Sequence, residues 1–409
     1  MKNILIKGGT GLFGINFYKQ FYQKYNLFLI GNQKKKIINT KIYYIDLFDL
    51  RKIDLFCKKN KIDTIIHAAA MTNIEDCQKN KKKCFKTNVS LTKLLNKFCN
   101  INKIKFVFIS TDQIFNKNKS FKGELLKSNP CNYYGYTKST AEKAVLNDNL
   151  DSLVIRTNFF GYGTKYRKSF SDWIIFNIKK NIKINVFDDI YFNPLYLKSL
   201  NTYMINLIKL KSKGIFNLVS DEKISKFEFA IKIASVFKLN NKFIIKSKFL
   251  LNKKLVKRPR DMKISNKKLK KKLGLKSINI QKQIKNMLKD DKYIVWKKKI
   301  ILYGSGGHSN SVIDVINSSK KFKIDLILDD NPTKKKILNI NVKKSSVFIK
   351  QNKISKNIHI SFASIYNLKA RLKIYEKLKA KKIYKFPNII SPDSYISKNS
   401  YLSEGVIIM

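Results

Sequence analysis

Short apolar runs alternate with helical patterns along the first 160 residues of the chain. Strands are predicted at residues 4–6, 27–30, 42–45, 64–66, 106–109 and 153–155, and helices at 12–25, 84–98 and 134–146. Short continuous apolar strands between amphipathic helices are typical of a parallel sheet that is covered on both faces. The pattern therefore predicts an α/β fold with a doubly wound, Rossmann-type sheet, in a domain that spans residues 1–158.

Beyond residue 158 the alternation loosens. Helical patterns at 171–180 and 226–237, with shorter strands between them, indicate a small substrate-binding lobe over residues 159–290. A polar, lysine-rich stretch at 291–298 is interpreted as a linker.

A second strand, glycine turn and helix begin at residue 299, which predicts a second small βα domain over residues 299–388. In residues 389–409, Ile390, Ile396, Leu402 and Ile407 recur every five or six positions. This spacing predicts the start of a left-handed hexapeptide β-helix.

Charge and composition bear on two classes of protein, nucleic-acid-binding proteins and disordered chains. The chain has 85 basic and 27 acidic residues, a net charge of +58, but lysine occurs in every segment and arginine is scarce. Since Lys, Asn, Ile and Phe are all abundant, the charge is interpreted as compositional bias, and no nucleic-acid partner is predicted. The 44% apolar content excludes a disordered chain.

Neither a signal peptide nor an apolar stretch of about 18 residues is visible, so no membrane association is predicted. Five cysteines without a C-x-x-C pair favour a reduced, cytoplasmic protein. The sequence shows no cluster of His, Cys and carboxylate residues with ligand spacing, so no metal site is predicted.

Gly8, Gly11 and Gly14 follow the first strand and lead into the first helix. This arrangement predicts a dinucleotide site, with a tight turn, a close backbone approach and a diphosphate at the helix N-terminus. The alternative is a glycine turn with a purely structural role.

The end of the second strand bears on the choice of cofactor. Gly31 is followed by Asn32 and by lysines at positions 34–36, with no acidic residue to bind the adenosine ribose. Lysines can pair with a 2′-phosphate, which favours NADPH over NADH. Triple lysines also recur elsewhere in the chain, so NADH stays open.

Tyr134 and Lys138 form a Y-x-x-x-K pair at the start of a long predicted helix. The same spacing occurs at Tyr293 and Tyr375, but only Tyr134 lies in the glycine-turn domain, after a strand that ends at Thr111. Residues four apart share one helix face. Lys138 can then lower the tyrosine pKa, Tyr134 can donate a proton to a carbonyl oxygen, and Thr111 can hold that oxygen. The alternative is a buried tyrosine beside a solvated lysine.

Residues 1 to about 288 resemble the dTDP-4-dehydrorhamnose reductase family of the extended short-chain dehydrogenase/reductase superfamily. The matching segments are the glycine turn, HAAAMTN at 67–73, FISTD at 108–112, YGYTK at 134–138 with AEK at 141–143, IRT at 155–157 and RPRD at 258–261. The resemblance implies a catalytic trio of Thr111, Tyr134 and Lys138, and NAD(P)H contacts at Leu12, Phe13, Asp46, Ala68, Ala69 and Ala70. The chain departs from the family at Gln113, where an aromatic residue is usual, and over residues 188–193.

The second glycine turn comprises Ser305, Gly306, Gly307 and His308, and the next strand ends at Asp329 and Asp330. Turn N–H groups can hold a diphosphate, although a structural βα turn is an equal alternative.

With the hexapeptide spacing that follows, residues 299–409 resemble the N-terminal part of the sialic-acid O-acetyltransferase / UDP-amino-sugar N-acetyltransferase family. The resemblance implies nucleotide-sugar contacts at the six residues of this turn and strand end. His359 is interpreted as an ordinary loop residue. The chain ends before a catalytic histidine, so no transferase activity is expected from it, and whether it is a fragment of a longer bifunctional protein stays open.

Both halves thus point to nucleotide-sugars. The preferred hypothesis is an NADPH-dependent reductase of the 4-keto group of a nucleotide-activated deoxysugar, in surface-glycan biosynthesis. A dehydratase is disfavoured because Asp112 is followed by Gln113 instead of a second acid. The alternatives are an epimerase that retains NAD and a non-catalytic nucleotide-sugar-binding fusion protein. The sequence specifies neither the sugar nor the oligomeric state, and a homo-oligomer stays open.

Overall fold

The computed structural model describes residues 2–31, 41–116, 122–163, 168–249, 255–291, 298–319, 322–348, 357–362, 368–381, 383–397 and 399–409. The chain divides into two compact units, residues 1–288 and 289–409. Most of the predicted linker, at 292–297, lies outside the described residues.

The first unit contains thirteen described strands and eleven described α-helices. Its strands are β1 (Asn3–Lys7), β2 (Asn26–Ile30), β3 (Ile42–Tyr43), β4 (Thr64–His67), β5 (Lys105–Thr111), β6 (Leu153–Thr157), β7 (Phe159–Phe160), β8 (Ile184–Phe187), β9 (Tyr191–Phe192), β10 (Leu195–Tyr196), β11 (Gly214–Leu218), β12 (Ile224–Ser225) and β13 (Ile244–Ser247). Its helices are α1 (Leu12–Phe21), α2 (Leu50–Lys59), α3 (Ile74–Lys79), α4 (Lys81–Phe85), α5 (Leu91–Ile101), α6 (Tyr133–Asp148), α7 (Phe170–Lys179), α8 (Leu197–Lys209), α9 (Lys226–Val236), α10 (Lys267–Leu273) and α11 (Ile280–Asp291). A π-helical segment, Lys86–Ser90, joins α4 to α5.

A seven-stranded sheet forms the centre of the first unit. The strand order is β11-β6-β5-β4-β1-β2-β3, and every neighbouring pair is parallel. In β1, Ile4 and Ile6 belong to one apolar cluster, whereas Leu5 belongs to a second cluster that packs with Ile53 and Leu95. Both faces of the sheet are therefore covered, which explains the continuous apolar runs. The predicted Rossmann-type fold is confirmed.

Part of the segment predicted as a substrate lobe, residues 159–290, belongs to this sheet. β11 pairs with β6 over its whole length, and α8 packs on α1. The other six strands of the segment form three short pairs, β7 with β10, β8 with β13 and β9 with β12. Strands of two to four residues carry too few apolar positions for a periodic signal, so the sequence does not show this arrangement.

The second unit is a mixed βα domain. Its described elements are β14 (Lys298–Tyr303), α12 (His308–Ser319), β15 (Phe322–Asp329), β16 (Lys336–Ile337), β17 (Ile340–Lys344), α13 (Ser345–Phe348), β18 (Asn357–Ile360), α14 (Leu368–Lys379), β19 (Ile389–Ile390) and β20 (Ile407–Ile408). Five strands form a sheet in the order β16-β17-β15-β14-β18, parallel except for β16. β19 and β20 pair in parallel over two residues, and the β-helix stays a prediction.

Among the described helices of either unit, none is both long enough and apolar enough to cross a bilayer.

Candidate active site

A single cleft of about 340 Å³ connects the first glycine turn to the predicted catalytic residues. Its wall is formed at one end by Gly8, Gly11, Leu12 and Phe13, in the middle by Ala68 and Ala70, and at the other end by Thr111, Tyr134 and Lys138. These residues belong to α1, to α6, to the end of β5 and to the segments that directly follow β1 and β4, and β1, β4 and β5 are neighbours in the sheet. The parallel sheet therefore brings both motifs to the same edge, where α/β proteins bind their ligands.

The glycines of the first turn are required by close backbone contacts. Gly8 has a φ of 91°, and a Cβ there would lie 2.8 Å from the backbone nitrogen of Ala69. At Gly14, a Cβ would lie 2.5 Å from the Cα of Gly9, so only glycine lets α1 start this close to the turn. The backbone N–H of Gly11 donates to the carbonyl of Gly8 at 3.0 Å and closes the turn.

The first turn of α1 faces this cleft through Leu12 and Phe13. The N–H groups at the start of a helix have no acceptor within the helix, and the helix dipole favours negative charge there. A glycine cradle that a Cβ would fill, followed by this helix end, fits the diphosphate of a dinucleotide.

Three other predicted cofactor contacts that the structure describes lie elsewhere. Gly14 packs α1 onto the turn, and Ala69 presents its backbone to Gly8; neither lines the cleft. Asp46 is exposed beyond β3 and accepts a hydrogen bond from the Phe48 N–H at 3.0 Å. Asn32 lies outside the described residues.

Tyr134 and Lys138 are both buried on the first turns of α6. Asn132 caps this helix, because its side-chain oxygen accepts the Gly135 N–H at 2.8 Å. A Cβ on Gly135 would lie 2.5 Å from the carbonyl oxygen of Gln113, so α6 begins in close contact with the turn that follows Thr111. This contact sets where Tyr134 stands relative to the end of β5.

Lys138 is enclosed by β5. Its Nζ donates to the carbonyl oxygen of Ile109 at 2.6 Å and lies 3.9 Å from the ring centre of Phe108. Burial lowers the pKa of Lys138 to about 7, although the Glu142 carboxylate and the Cys84 thiol oppose the change. Burial therefore makes the charge of Lys138 sensitive to pH near neutrality.

A buried ion pair anchors α6 to the sheet. Arg156 of β6 donates to Glu142 of α6, with 2.8 Å between Nη2 and Oε2, and Ser110 of β5 donates to the same carboxylate. Both charged side chains are at most 5% exposed. Removing one partner of such a pair would leave the other charge buried, so the pair holds the helix that carries Tyr134 in register with β5 and β6.

Asp112 engages the hydroxyl of Thr111. Thr111 Oγ1 donates to Asp112 Oδ1 at 3.1 Å, and Asn158 Nδ2 donates to Asp112 Oδ2 at 2.8 Å. Burial raises the pKa of Asp112 to about 6, although Asn158 and the Lys226 ammonium oppose this change. An ionised Asp112 competes with a substrate oxygen for the single hydroxyl proton of Thr111.

Several residues that line the cleft are not among the site residues predicted from the sequence. They are Thr72, Ile109, Ser110, Asp112, Gln113, Thr157, Asn158, Phe159, Lys168, Ser169 and Phe170. Asn158 directly follows β6, so the rule that ligands bind beyond the carboxyl ends of parallel strands can identify it from sequence. Lys168 and Phe170 reach the cleft from the segment without periodic strands, where the sequence carries no such signal.

In the second unit, acidic side chains hold the glycine turn. The Ser305 N–H and hydroxyl both donate to Asp329 Oδ2, at 2.7 and 2.6 Å. The hydroxyls of Tyr303 and Ser345 donate to Asp330 Oδ1. Although burial opposes it, the hydrogen bonds from Ser305 keep the pKa of Asp329 below its usual value. The Ser305 N–H is thus committed to a carboxylate instead of an incoming phosphate.

Gly306, Gly307 and His308, the other predicted residues of the second turn, lie directly after Ser305. A Cβ on Gly306 or Gly307 would meet nothing within 4 Å, and His308 is the first residue of α12. The interpretation of His359 as a loop residue is wrong. It lies in β18, the edge strand that pairs with β14, and it is fully buried, so burial lowers its pKa to about 4. The described residues contain no group of three or more His, Cys, Asp or Glu side chains able to hold a metal ion.

Comparison with known proteins divides the chain at the same place. Residues 1–293 match the family described as RmlD substrate binding domain, and residues 299–378 match the PglD N-terminal domain. The chain is similar to the probable low-salt glycan biosynthesis reductase Agl14 of Haloferax volcanii, with 23% identity over 56% of this chain and 79% of that protein. It is also similar to methionine adenosyltransferase 2 subunit beta of Bos taurus, with 26% identity over 58% of this chain and 73% of that protein.

Two solved structures resemble the first unit. One is a hypothetical dTDP-4-dehydrorhamnose reductase from Sulfolobus tokodaii, with 28% identity, a TM-score of 0.58 and coverage of 66% of this chain and 94% of that one. The other is a dTDP-4-dehydrorhamnose reductase from Bacillus anthracis in complex with NADP, with 21% identity, a TM-score of 0.62 and coverage of 71% and 100%. The second likeness bears on the fold alone.

Proposed function

The chain belongs to the RmlD substrate binding domain family through residues 1–293, and from this premise we propose that it is an NADPH-dependent reductase of the 4-keto group of a nucleotide-activated deoxysugar. The observation that carries the proposal is the single cleft that joins the glycine turn to Thr111, Tyr134 and Lys138. Similarity to a glycan biosynthesis reductase supports a role in surface-glycan biosynthesis. NADH stays open as an alternative reductant.

The chain's own residues account for binding of the cofactor. The backbone N–H groups of Leu12 and Phe13, at the start of α1, would hold the diphosphate, and Ala68 and Ala70 line the cleft between the glycine turn and Tyr134. Bound NADPH supplies a hydride to the carbonyl carbon of the sugar.

Tyr134 completes the reduction as the general acid. As negative charge develops on the ketone oxygen, the phenol donates its proton, and the C=O bond becomes CH–OH. A charged Lys138 stabilises the phenolate that results. Thr111 can turn its hydroxyl away from Asp112 and donate to the ketone oxygen. Each group thus acts on charge that appears during the reaction.

For the second unit we place a nucleotide-sugar site at Ser305, Gly306, Gly307, His308, Asp329 and Asp330. The match to the PglD N-terminal domain and the hydrogen bonds between Ser305 and Asp329 support a shaped turn there. A ligand phosphate would be bound by the N–H groups after Ser305, since the Ser305 N–H is already bonded to Asp329.

A screen of nucleotide-4-ketosugars with NADPH and with NADH, followed by absorbance of the reduced nicotinamide, tests the proposed reductase activity. We expect oxidation of the cofactor with at least one sugar, and faster oxidation of NADPH than of NADH. Tightly retained NAD without net oxidation would indicate an epimerase instead.

The similarity to a methionine adenosyltransferase subunit favours one further candidate, a non-catalytic binding subunit. Binding of cofactor and sugar without turnover of any ketosugar would support that candidate and contradict the reductase.

A further inference from the structure

Gln113 lies in the wall of the cleft, two residues after Thr111. It is part of a 3₁₀ turn, Asp112–Ile114, which follows β5, and its side chain is partly exposed. At this position the chain departs from the family it resembles, where an aromatic residue is usual. Gln113 therefore contributes an amide group next to Thr111 in the wall of the cleft.

The backbone of Gln113 is held between two of the predicted catalytic residues. Its N–H donates to Thr111 Oγ1 at 3.2 Å. Its carbonyl oxygen packs against Gly135, where a Cβ would approach to 2.5 Å, and Gly135 directly follows Tyr134. The attachment point of the side chain is therefore fixed relative to the groups that would bind the ketone oxygen.

Among the described residues, none donates a hydrogen bond to the amide oxygen of Gln113. Oε1 is shielded from solvent and has no hydrogen-bond partner among the described residues. Buried acceptors are almost always paired, because an unpaired one loses its hydration without compensation. The terminal torsion of a glutamine is broad, so the amide can turn its oxygen towards a ligand in the cleft while the backbone stays in place.

We propose that Gln113 determines specificity by accepting a hydrogen bond from a hydroxyl or N–H group on the sugar carbon next to the ketone. Thr111 and Tyr134 line the same cleft and would hold the ketone oxygen, so a side chain two residues from Thr111 reaches the neighbouring substituent. In a 6-deoxy-4-ketosugar, C5 carries a methyl group and the ring oxygen, which leaves C3 as the carbon with a donor. The inference rests on the proposed reductase function and names its substrate class: 4-ketosugars with a hydrogen-bond donor on C3.

Calorimetric binding in the presence of NADP⁺, where no reduction occurs, tests the inference. The probes are nucleoside-diphosphate-4-ketosugars with a 3-hydroxyl, with a 3-acetamido group and with C3 unsubstituted. The variant is Gln113→Met, which keeps the length of the side chain and removes the acceptor. Gln23→Met is the matched control, since Gln23 is exposed beyond the end of α1.

We expect the wild type to bind at least one of the two donor-bearing sugars roughly 10- to 100-fold more tightly than the 3-deoxy sugar, since a site built around a hydrogen bond rejects a ligand that lacks it. In Gln113→Met the preference should fall to about threefold or less, and in Gln23→Met it should persist. Which of the two donor sugars binds more tightly identifies the substituent.

Three results would overturn the inference: equal wild-type binding of donor and deoxy sugars, an equal loss of both in Gln113→Met, or no binding of any of the three. Its failure is separable from that of the proposed function. If the protein shows a binding preference that depends on Gln113 but oxidises no NADPH, the reductase function is wrong and the binding role of Gln113 stands. If it oxidises NADPH but shows no such preference, the reductase function stands and the role of Gln113 is wrong.

Discussion

The two units of this chain carry the same pair of motifs with opposite outcomes. Each has a glycine turn between a strand and a helix, and each has a tyrosine four residues before a lysine. In the second unit Lys379 Nζ donates to Tyr375 at 2.7 Å on α14, in an exposed pair that also involves Glu404. In the first unit Tyr134 and Lys138 are buried and share a cleft with the glycine turn. Spacing sets which side chains are neighbours along a helix, whereas sheet topology decides whether two motifs meet.

The two glycine turns differ in the same way. Gly8 and Gly14 are required because a Cβ would strike backbone atoms, whereas Gly306 and Gly307 face open space. The first turn presents a helix end to a cleft, and the second already binds the Asp329 carboxylate. Gly304, just before the second turn, also has a positive φ, of 111°, and a close approach, so the contrast is confined to the glycines within the two turns.

The largest difference between the units should appear on removal of one phenol oxygen. Tyr134→Phe should lower kcat for ketosugar reduction by roughly 10²- to 10⁴-fold, because the general acid is lost. Tyr375→Phe should leave kcat within about twofold, since that phenol lies outside the cleft. Absorbance assays of NADPH oxidation on both variants decide this, and near-normal turnover in Tyr134→Phe would remove Tyr134 from the mechanism.

A methyl group added to each turn is expected to have the next largest effect. Gly14→Ala should reduce the free energy of unfolding by about 1–3 kcal/mol and weaken NADPH binding, because the new Cβ meets backbone at 2.5 Å. Gly306→Ala should change it by less than about 0.5 kcal/mol. Chemical denaturation and NADPH titration of both variants provide the measurement. Equal effects of the two substitutions would contradict the steric contrast.

Lys138 and Lys379 should differ in how they affect the pH dependence of the free energy of unfolding. Burial lowers the pKa of Lys138 to about 7, so between pH 7 and 10 the unfolded chain binds a proton that the folded chain does not. The free energy of unfolding should therefore rise with pH in this window, by up to about 1.4 kcal/mol per pH unit from Lys138, and fall as pH is lowered towards 7.

Lys138→Met should flatten this rise relative to the wild type, whereas Lys379→Met should not, because hydrogen bonds with Tyr375 and Glu404 raise the pKa of the exposed Lys379 instead of lowering it. Denaturant unfolding at pH 7, 8, 9 and 10 measures the slopes. The same slope in wild type and Lys138→Met would show that Lys138 keeps an ordinary pKa.

The smallest predicted effect concerns the carboxylate of Asp329, which accepts hydrogen bonds from Ser305 of the second turn. Asp329→Asn should weaken the contacts with Ser305 and destabilise the second unit by about 1 kcal/mol at neutral pH. Because the folded pKa of Asp329 is lowered, its stabilisation is present above the unfolded pKa and is lost as pH falls through the folded pKa. Thermal unfolding of both proteins should therefore converge in acid, and a constant difference at all pH values would contradict this role.

The fold of the first unit follows from the sequence wherever strands are apolar and continuous. The helix predicted at 134–146 is observed as α6, Tyr133–Asp148. The single helix predicted at 84–98 is instead α4, a π-helical segment and α5. The buried Asn88 side chain accepts the Met71 N–H at 2.8 Å and donates to Thr137 Oγ1 at 3.1 Å. These bonds reach distant parts of the chain, so a local pattern cannot predict the wider turn.

The candidate site likewise contains residues that the sequence predicts and surroundings that it does not. Thr111, Tyr134 and Lys138 can be predicted because each occupies a defined position on a strand end or helix start. The environment that tunes them cannot be predicted, because it depends on packing across the unit. Asn158 donates to Asp112, and the ammonium of the partly buried Lys226 from α9 acts on the same carboxylate.

The most direct test of the reductase assignment is the fate of the cofactor's hydride. NADPH carrying deuterium at the transferring position of the nicotinamide would be incubated with the protein and the nucleotide-4-ketosugar it reduces, and the product examined by NMR spectroscopy and mass spectrometry. The account predicts one deuterium, bonded to C4 of the sugar, because the glycine turn and Tyr134 share one cleft. Oxidation of the labelled cofactor with no deuterium at C4 would contradict it.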